Sequence, residues 1–369
     1  MDHFFDSVWT GVGCSSVCDT IRHYQSYGTA AGPAYGTSKR AALEHPWFVE
    51  KWIGDVRANS YSVRTLASAC AKDELLDRVK VETRDKQRAF ISTSAYMVLW
   101  QFYLFNEQNE LIKGLWEDGE SFGYGFRKQY CGWHNAMSKF TGHEVSSLDF
   151  KRCDKTVLNI VLDWFYHYRI LRLEETYGRS FGSVASCLVW DLTRSLVVLP
   201  DGLLMVKYRG NPSGQMNTTF DTIVFMQVLK VASQMEAGVP LWVDPSFHYG
   251  DDTLLSSGVD QFVSFATSLG CTVEVEYVGD IRGAPFISHV IRRSCTGKLV
   301  GCGNIAKAID RLRFSGGFSP LIIAEIILGL YEECFPWYGT REWDEFFVQL
   351  SLCLIGLASS LRFLPTVHS

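Results

Sequence analysis

The stretch Phe247-His248-Tyr249-Gly250-Asp251-Asp252-Thr253-Leu254-Leu255 sets two adjacent carboxylates behind a glycine, with bulky residues before it and apolar ones after. Val239 to Val243 lies upstream and Thr253-Leu254-Leu255 downstream, so the pattern predicts strand, tight turn, strand. Gly250 supplies the backbone freedom that such a turn needs. Neighbouring carboxylates repel one another unless a cation lies between them, which makes a metal the natural partner of Asp251 and Asp252. Gly-Asp-Asp also occurs by chance in solvated loops. The reading therefore depends on what else the chain can bring to the same place.

The chain of 369 residues suggests one large or two modest folded units. With 47% hydrophobic and 14% aromatic residues it has ample material for a core. A formal charge of −5 gives no global signature of nucleic-acid binding, although the potential inside a groove matters more than the sum. Eleven cysteines, scattered and odd in number and with no secretory leader, fit reduced thiols in a cytosolic compartment. Cys14, Cys18 and His23 resemble a zinc half-site without an evident fourth ligand, and zinc is the lesser reading. No transmembrane segment is expected. The most apolar run, Phe346 to Leu361, carries Gln349 and falls short of the roughly twenty residues that a span requires.

Outward from the acidic turn, the chain alternates between helical and extended patterns. Ser38 to Ala69 reads as mainly helical with Pro46 as a breaker, and Ala89 to Leu111 as helical for most of its length. Between them Arg78, Lys80, Arg84, Lys86 and Arg88 recur with little but Glu82 and Asp85 opposing them, on an alternating strand around Val79 to Thr83. A solvated edge strand would look the same. Val145 to Phe150 is a strand that delivers Asp149 at its end, and Asp154 follows just before a Val157 to Leu171 helix. Ser186 to Leu199 and Leu203 to Lys207 carry β-type residues around Pro200-Asp201-Gly202. A loop at residues 208–214 leads into a helix from Gln215 to Met235. After the acidic hairpin come a helix at Val259 to Leu269, strands at Cys271 to Tyr277 and Pro285 to Ile291, and a mostly helical tail from Ile305.

Asp149 ends a strand, Ser213 leads into a long helix, and Asp251-Asp252 cap a hairpin. If those elements are neighbours around one sheet, their oxygen ligands converge. Carboxylates from two strands holding two Mg²⁺ ions are the arrangement for in-line nucleotidyl transfer. A basic strand at Lys80 to Arg88 would then hold the triphosphate, because Arg grips phosphate oxygens bidentately.

These residues resemble the RNA-dependent RNA polymerases of positive-strand RNA viruses. Asp149-Phe150-Lys151-Arg152-Cys153-Asp154 is similar to their motif A, Ser213-Gly214-Gln215-Met216-Asn217-Thr218 to motif B, and Tyr249-Gly250-Asp251-Asp252 to motif C. Lys72-Asp73-Glu74-Leu75 with the basic cluster resembles motif F, Thr29-Ala30-Ala31-Gly32-Pro33 motif G, and Phe286-Ile287-Ser288-His289 motif E. The order is that of the family, and Gly210-Asn211-Pro212-Ser213-Gly214-Gln215 looks most like astrovirus-type enzymes of the picornavirus-like supergroup. The resemblance covers roughly residues 29 to 293.

The resemblance implies an α+β right-hand polymerase: an antiparallel palm sheet flanked by helices, partial fingers and a helical thumb. Residues 1–140 would be fingers carrying motifs G and F, with an N-terminal part shorter than in relatives. Residues 141–294 would be palm, with finger segments inserted between motifs A and B, and 295–369 thumb. It implies Asp149, Asp251 and Asp252 as catalytic metal ligands for Mg²⁺, with Mn²⁺ as a substitute. Asp154, Ser213, Gly214, Thr218 and Thr222 would contact the ribose side of the nucleotide, and Lys80, Arg84, Lys86 and Arg88 its triphosphate. Gly32 and Pro33 would steer template, and Ser288 and His289 would hold the primer end. Thumb residues Lys307, Arg311 and Arg313 are candidate backbone contacts, with a solvated helix face as the equal alternative. The implied partners are RNA template, nascent RNA, nucleoside triphosphates and other viral replication proteins. The implied setting is a membrane-associated replication complex in the host cytoplasm.

The sequence departs from the family in three places. Thr222 stands where relatives usually have Asn, leaving ribose discrimination to a shorter side chain, with Asp221 beside it. The motif D lysine is missing before Phe286, and Arg282, with a pKa above about 12, is a poor proton donor. Leu76 stands where relatives often carry Arg. A reverse transcriptase shares the palm and a Tyr-x-Asp-Asp tip, but it places a bulky aromatic where this chain has Asp154. A non-catalytic, polymerase-like RNA-binding protein would be expected to have lost a metal aspartate, and none is lost.

Overall fold

The structure is a computed structural model that describes residues 2–26, 42–71, 89–115, 122–128, 131–240, 244–294, 296–305, 308, 320–337 and 341–362. Strands are numbered in chain order. The central sheet is built on β3 (Glu144–Lys151), flanked by β7 (Asp252–Leu255) and β8 (Thr272–Asp280), with β6 (Ser246–Tyr249) outside β7. All of its pairings are antiparallel. Along β3, Val145 and Ser147 lie on one face and Leu148 and Phe150 on the other, as the two-residue period of a strand requires.

The Leu148 and Phe150 face packs on the main core, into which the Asn159–Tyr177 and Thr218–Glu236 helices bring Phe165, Phe220 and Ile223. Val145, Phe247 and Leu254 belong instead to a smaller cluster with Trp133, Phe140 and Phe286. Two separate apolar layers thus grip the sheet from its two sides. Burying a large apolar side chain stabilises by roughly 1.5–3 kcal/mol, so the sheet is a rigid platform.

A second sheet has the order β2 (Ala89–Ser92), β1 (Leu66–Ala71), β4 (Leu196–Val198) and β5 (Leu204–Val206), with β1 and β4 parallel. A third sheet contains β9 (Pro285–Phe286), β10 (His289–Arg293) and β11 (Leu299–Gly303). The chain ends in the Pro320–Cys334 and Arg341–Arg362 helices, whose buried Leu330, Trp343, Phe346 and Leu350 form their own cluster.

Several expected elements are corrected. The hairpin strand directly before the turn is Ser246–Tyr249; of the apolar run at Val239 to Val243, residues 241–243 lie outside the described residues. Helix at residues 42–43 stops short of Pro46, as expected of a breaker, and Pro46 then opens the Pro46–Ala58 helix, since proline is tolerated in a first helical turn; the expected helix over residues 59–69 is instead irregular and then extended at β1. Ala89–Ser92 is a strand before the Ala95–Leu115 helix. The β-type run from Ser186 is mostly helix, Gly182–Thr193, because Val184, Ala185, Leu188, Val189 and Leu192 repeat with helical period and are all buried. The strand expected over Pro285 to Ile291 is broken at Ile287 and Ser288, whose φ angles of 51° and 60° make a two-residue hairpin turn. The expected boundary near residue 294 falls inside the β10–β11 hairpin, which carries strand structure on to Gly303.

Candidate active site

The register brings the acidic residues together. Leu148 of β3 lies opposite Thr253 of β7, and Tyr249 lies opposite Asp252 across the turn. One step further along that register, Asp149 stands level with Asp252, while on its other side it pairs with Glu274 of β8. Gly250 turns the hairpin with φ 63°. Asp251 is exposed at the tip, and Asp149 and Asp252 are half-buried. His248 beneath the turn is buried, with Nδ1 3.1 Å from the Thr253 hydroxyl. Burial and the nearby Lys230 and Lys139 cations hold its pKa down at about 3, so it is neutral.

Burial, and then the charges of Asp251, Asp149 and Glu276, push the Asp252 carboxyl up to about 7. Glu276 is itself raised, by burial and then by Asp149 and Glu274, with Lys151 opposing. Lys151 forms a 2.6 Å ion pair with Glu274. The sheet edge is therefore an acidic patch in which Asp252 and Glu276 are made costlier to ionise by burial and by their acidic neighbours. A divalent cation relieves that cost, and the all-oxygen donor set suits a hard ion. Among the described residues no group of three His, Cys, Asp or Glu side chains is placed to hold a metal ion by itself. Glu276 was not singled out by sequence reading. Its one signal is the alternation of Glu274 and Glu276 along a strand beside Asp149.

The ribose-side residues also meet. Arg152 takes a left-handed φ of 56°, which turns the chain from β3 into the short Cys153–Thr156 helix and carries Asp154 there. The Ser213 hydroxyl donates to Asp154 Oδ2 at 3.3 Å. The loop between them is fixed by close approach. A Cβ on Gly210 would lie 2.5 Å from the Asp154 carbonyl oxygen, and one on Gly214 would lie 2.9 Å from that of Ile91 in β2. Asn211 N–H donates to the Asp154 carbonyl at 2.6 Å, and Gly214 N–H to that of Ile91 at 3.0 Å. Thr218 Oγ1 donates to carbonyls of Pro212 and Gln215, each at 2.9 Å. Thr222 Oγ1 donates back to the Thr218 carbonyl at 2.8 Å, and Asn211 Nδ2 donates to that same carbonyl at 3.1 Å and to Thr222 Oγ1 at 3.5 Å. Asn211, which the sequence reading did not select, thus supplies an amide beside Thr222.

Ser288 is exposed at the β9–β10 turn, whereas His289 is buried, its Nδ1 2.7 Å from the Ile287 carbonyl and its ring 5.3 Å from Trp133. The Ser147 hydroxyl donates to the Pro285 carbonyl at 2.6 Å, tying this turn to the central sheet. Gly32, Pro33, Lys80, Arg84, Lys86, Arg88, Lys307, Arg311 and Arg313 lie outside the described residues. Cys14 and Cys18 are free thiols, and burial pushes the Cys14 thiol up to about 11.

Comparison with known proteins fits this geometry. The family model described as viral RNA-dependent RNA polymerase matches residues 16–270. The genome polyprotein of Ryegrass mosaic virus (isolate Denmark/Danish) is 24% identical over 319 residues, which cover 78% of this chain and 10% of that protein. The non-structural polyprotein 1AB of Ovine astrovirus 1 is 24% identical over 206 residues, 50% of this chain and 15% of that protein. The chain thus spans a small fraction of the length of these curated relatives. Among solved structures, the Sicinivirus 3Dpol RNA dependent RNA polymerase superposes with a TM-score of 0.77 at 13% identity, covering 97% of this chain and 80% of that one. Its fold is shared.

Proposed function

The chain belongs to the viral RNA-dependent RNA polymerase family, and we propose that it extends an RNA 3′-OH with ribonucleotides, using Asp149 and Asp251 as principal metal ligands. By that membership it is an RNA-directed RNA polymerase of viral genome replication. The observation that carries the site assignment is the alignment of Asp149 with the Asp251-Asp252 turn across neighbouring strands.

The family works with divalent metal ions, and Mg²⁺, with Mn²⁺ as substitute, is the ion proposed here. When bound, such ions lower the pKa of the attacking hydroxyl and neutralise charge on the triphosphate and leaving group. The 3′-oxygen attacks the α-phosphorus, the bond to the bridging oxygen breaks, and pyrophosphate leaves. Asp149 and Asp251 supply the acidic floor for that exchange, and Asp252 lies beside them as a third carboxylate. The Ser213 hydroxyl and Asp154 hold the ribose 2′-OH, with Gly214, Thr218 and Thr222 shaping the loop. A site built around a hydroxyl rejects the analogue that lacks it, because its own polar groups are then left unpaired. Lys80, Arg84, Lys86 and Arg88 are assigned to the triphosphate, Gly32 and Pro33 to the template, and Ser288 and His289 to the primer end.

Residues 1–140 and 141–294 are proposed as fingers and palm, with the β10–β11 hairpin carrying the palm side on to Gly303, and the helices beyond it as thumb. RNA and nucleoside triphosphates are the partners that follow from a polymerase, and the host cytoplasm is the setting of such viruses. Other viral proteins and a membrane-associated complex are added by proposal. Among the described residues no helix is long and apolar enough to cross a membrane.

Primer extension on an RNA template, with rNTPs and dNTPs supplied separately, tests this reading. Efficient rNTP incorporation with dNTPs rejected is expected. Dominant use of dNTPs would overturn the assignment of Asp154 and Ser213.

A further inference from the structure

Behind the ribose loop lies a buried set of polar side chains that the proposed chemistry does not use. Arg169, on the Asn159–Tyr177 helix, is fully buried and stacks over the Phe105 ring at 4.3 Å. Asp221, on the Thr218–Glu236 helix, is also fully buried. No ion pair joins them directly among the described residues; side chains connect them.

The connection has a direction. A guanidinium can only donate hydrogen bonds, and an ionised carboxylate can only accept them. Arg169 Nη2 donates to Asn109 Oδ1 at 2.7 Å, and Asn109 Nδ2 donates to Asn217 Oδ1 at 2.7 Å. Asn217 Nδ2 donates to the Tyr166 hydroxyl at 3.0 Å, and that hydroxyl donates to Asp221 Oδ2 at 3.0 Å. The two charged ends thus fix the orientation of each amide between them. A second branch starts at the same carboxylate. Gln215 Nε2 donates to Asp221 Oδ2 at 2.5 Å and to Asn211 Oδ1 at 2.8 Å. Gln215 Oε1 accepts from Gln101 Nε2 at 2.8 Å and from Asn217 N–H at 2.9 Å. With Gln215 so turned, Asn211 must present its nitrogen to the Thr218 carbonyl and Thr222 hydroxyl, as observed.

Resting on the polymerase reading, we propose that Asp221 and Arg169 are positioning residues for ribose selection, setting through a one-way hydrogen-bond relay the loop that carries Ser213 to Asp154. The relay explains how the chain manages with Thr222 where relatives have Asn: the orienting amide comes from Asn211, and its orientation comes from Asp221. The charge of Asp221 is what fixes that direction: Gln215 and Tyr166 both donate to Oδ2 while Oδ1 has no hydrogen-bond partner among the described residues, and a neutral carboxyl can turn either an acceptor or a donor toward them. Burial pushes the Asp221 carboxyl up to about 7, with Arg169, Gln215 and Tyr166 pulling against it. The charged and titratable groups facing it are Arg169 and Tyr166 on one helix; Tyr124 faces Arg169.

The test compares Asp221→Asn and Tyr166→Phe with the unaltered full chain in primer extension, reading kcat/KM for an rNTP over its 2′-deoxy counterpart. Asp221→Asn keeps the shape but removes the charge and lets either an oxygen or a nitrogen face Gln215 and Tyr166, so the relay loses its fixed direction, and its selectivity should fall about tenfold or more, as for loss of an oriented hydrogen bond. Tyr166→Phe cuts one branch only and should shift the ratio in the same direction by less. Hydrogen exchange over residues 211–218 supplies a readout that needs no activity, and both variants should lose protection there. Unchanged selectivity and unchanged protection in folded variants would overturn the relay and leave the polymerase reading intact. If the unaltered chain makes no RNA, that counts against the polymerase reading, and exchange over 211–218 still decides the relay. Should Asp221→Asn fail to fold, Tyr166→Phe decides by the same two measurements.

Discussion

The chain treats acidic side chains in two opposite ways. At the edge of the central sheet Asp149, Asp251, Asp252 and Glu276 crowd together, half-buried or exposed, and the company of the others raises the cost of charge on Asp252 and Glu276. Behind the ribose loop Asp221 stands alone, fully buried, with the buried Arg169 at the far end of a side-chain chain. The first group is open to solvent and suited to an ion arriving from outside. The second is sealed and supplies its own counter-charge, so its carboxylate acts as a fixed hydrogen-bond acceptor. Carboxylates of equal chemistry thus serve either as a reactive patch or as an alignment device, according to burial and company.

Breaking the patch should have the largest effect. Asp149→Asn removes a carboxylate from the metal side of the site, and nucleotide incorporation should fall on the order of a thousandfold. RNA affinity, measured separately by fluorescence anisotropy, should be nearly unchanged. Loss of both together would mean that the substitution damages the fold.

Removing the buried cation should act on stability first. Arg169→Met deletes donors to Gln108, Asn109 and the Phe105 carbonyl. Acceptors stranded in the core should cost about 3 kcal/mol in urea unfolding. A cost near zero would show that the relay carries no load in the folded state.

Adding a cation should distinguish the two regions directly. Mg²⁺ without RNA should raise the melting temperature, because a ligand at a hundredfold excess over its Kd stabilises by about 2.7 kcal/mol. The shift should vanish in Asp149→Asn and survive in Asp221→Asn. An equal shift in both variants would place the ion elsewhere.

The smallest effect is one of pH. Asp221, raised from 3.8 to about 7, binds its proton more tightly folded than unfolded. Its contribution to stability is therefore complete below its unfolded value and is lost as pH rises through about 7. Selectivity runs the other way, since only the ionised form is an acceptor at both oxygens and so fixes the relay's direction. The rNTP-to-dNTP ratio should fall between pH 8 and pH 6, and taking a ratio cancels changes common to both substrates. A ratio that is flat with pH would separate selection from Asp221.

The patch was far more legible in the sequence than the relay. Asp149, Asp154, Ser213 and the Asp251-Asp252 pair sit in short local patterns, and strand alternation was enough to put Asp149 at the end of a strand. The hairpin tip follows from Gly250 and the paired aspartates, whereas the strand before it, Ser246–Tyr249, is less apolar in sequence than the run at Val239 to Val243 and is harder to read. The relay was hidden because its bonds join residues more than a hundred positions apart, such as Gln101 to Gln215 and Asn109 to Asn217. Arg169 in an apolar helix reads as a solvated charge until its burial is known. Gln101, Gln108 and Asn109 among the aromatic and aliphatic residues of the Ala95–Leu115 helix were the available signal, since buried amides need partners.

The most direct test is template-directed RNA synthesis by this chain with Mg²⁺ and rNTPs, run beside Asp251→Ala. The account predicts extended product from the unaltered chain and none from the variant, with RNA binding retained in both. Synthesis that persists in Asp251→Ala would contradict a metal site at the hairpin tip, and with it the assignment built on the two strand ends.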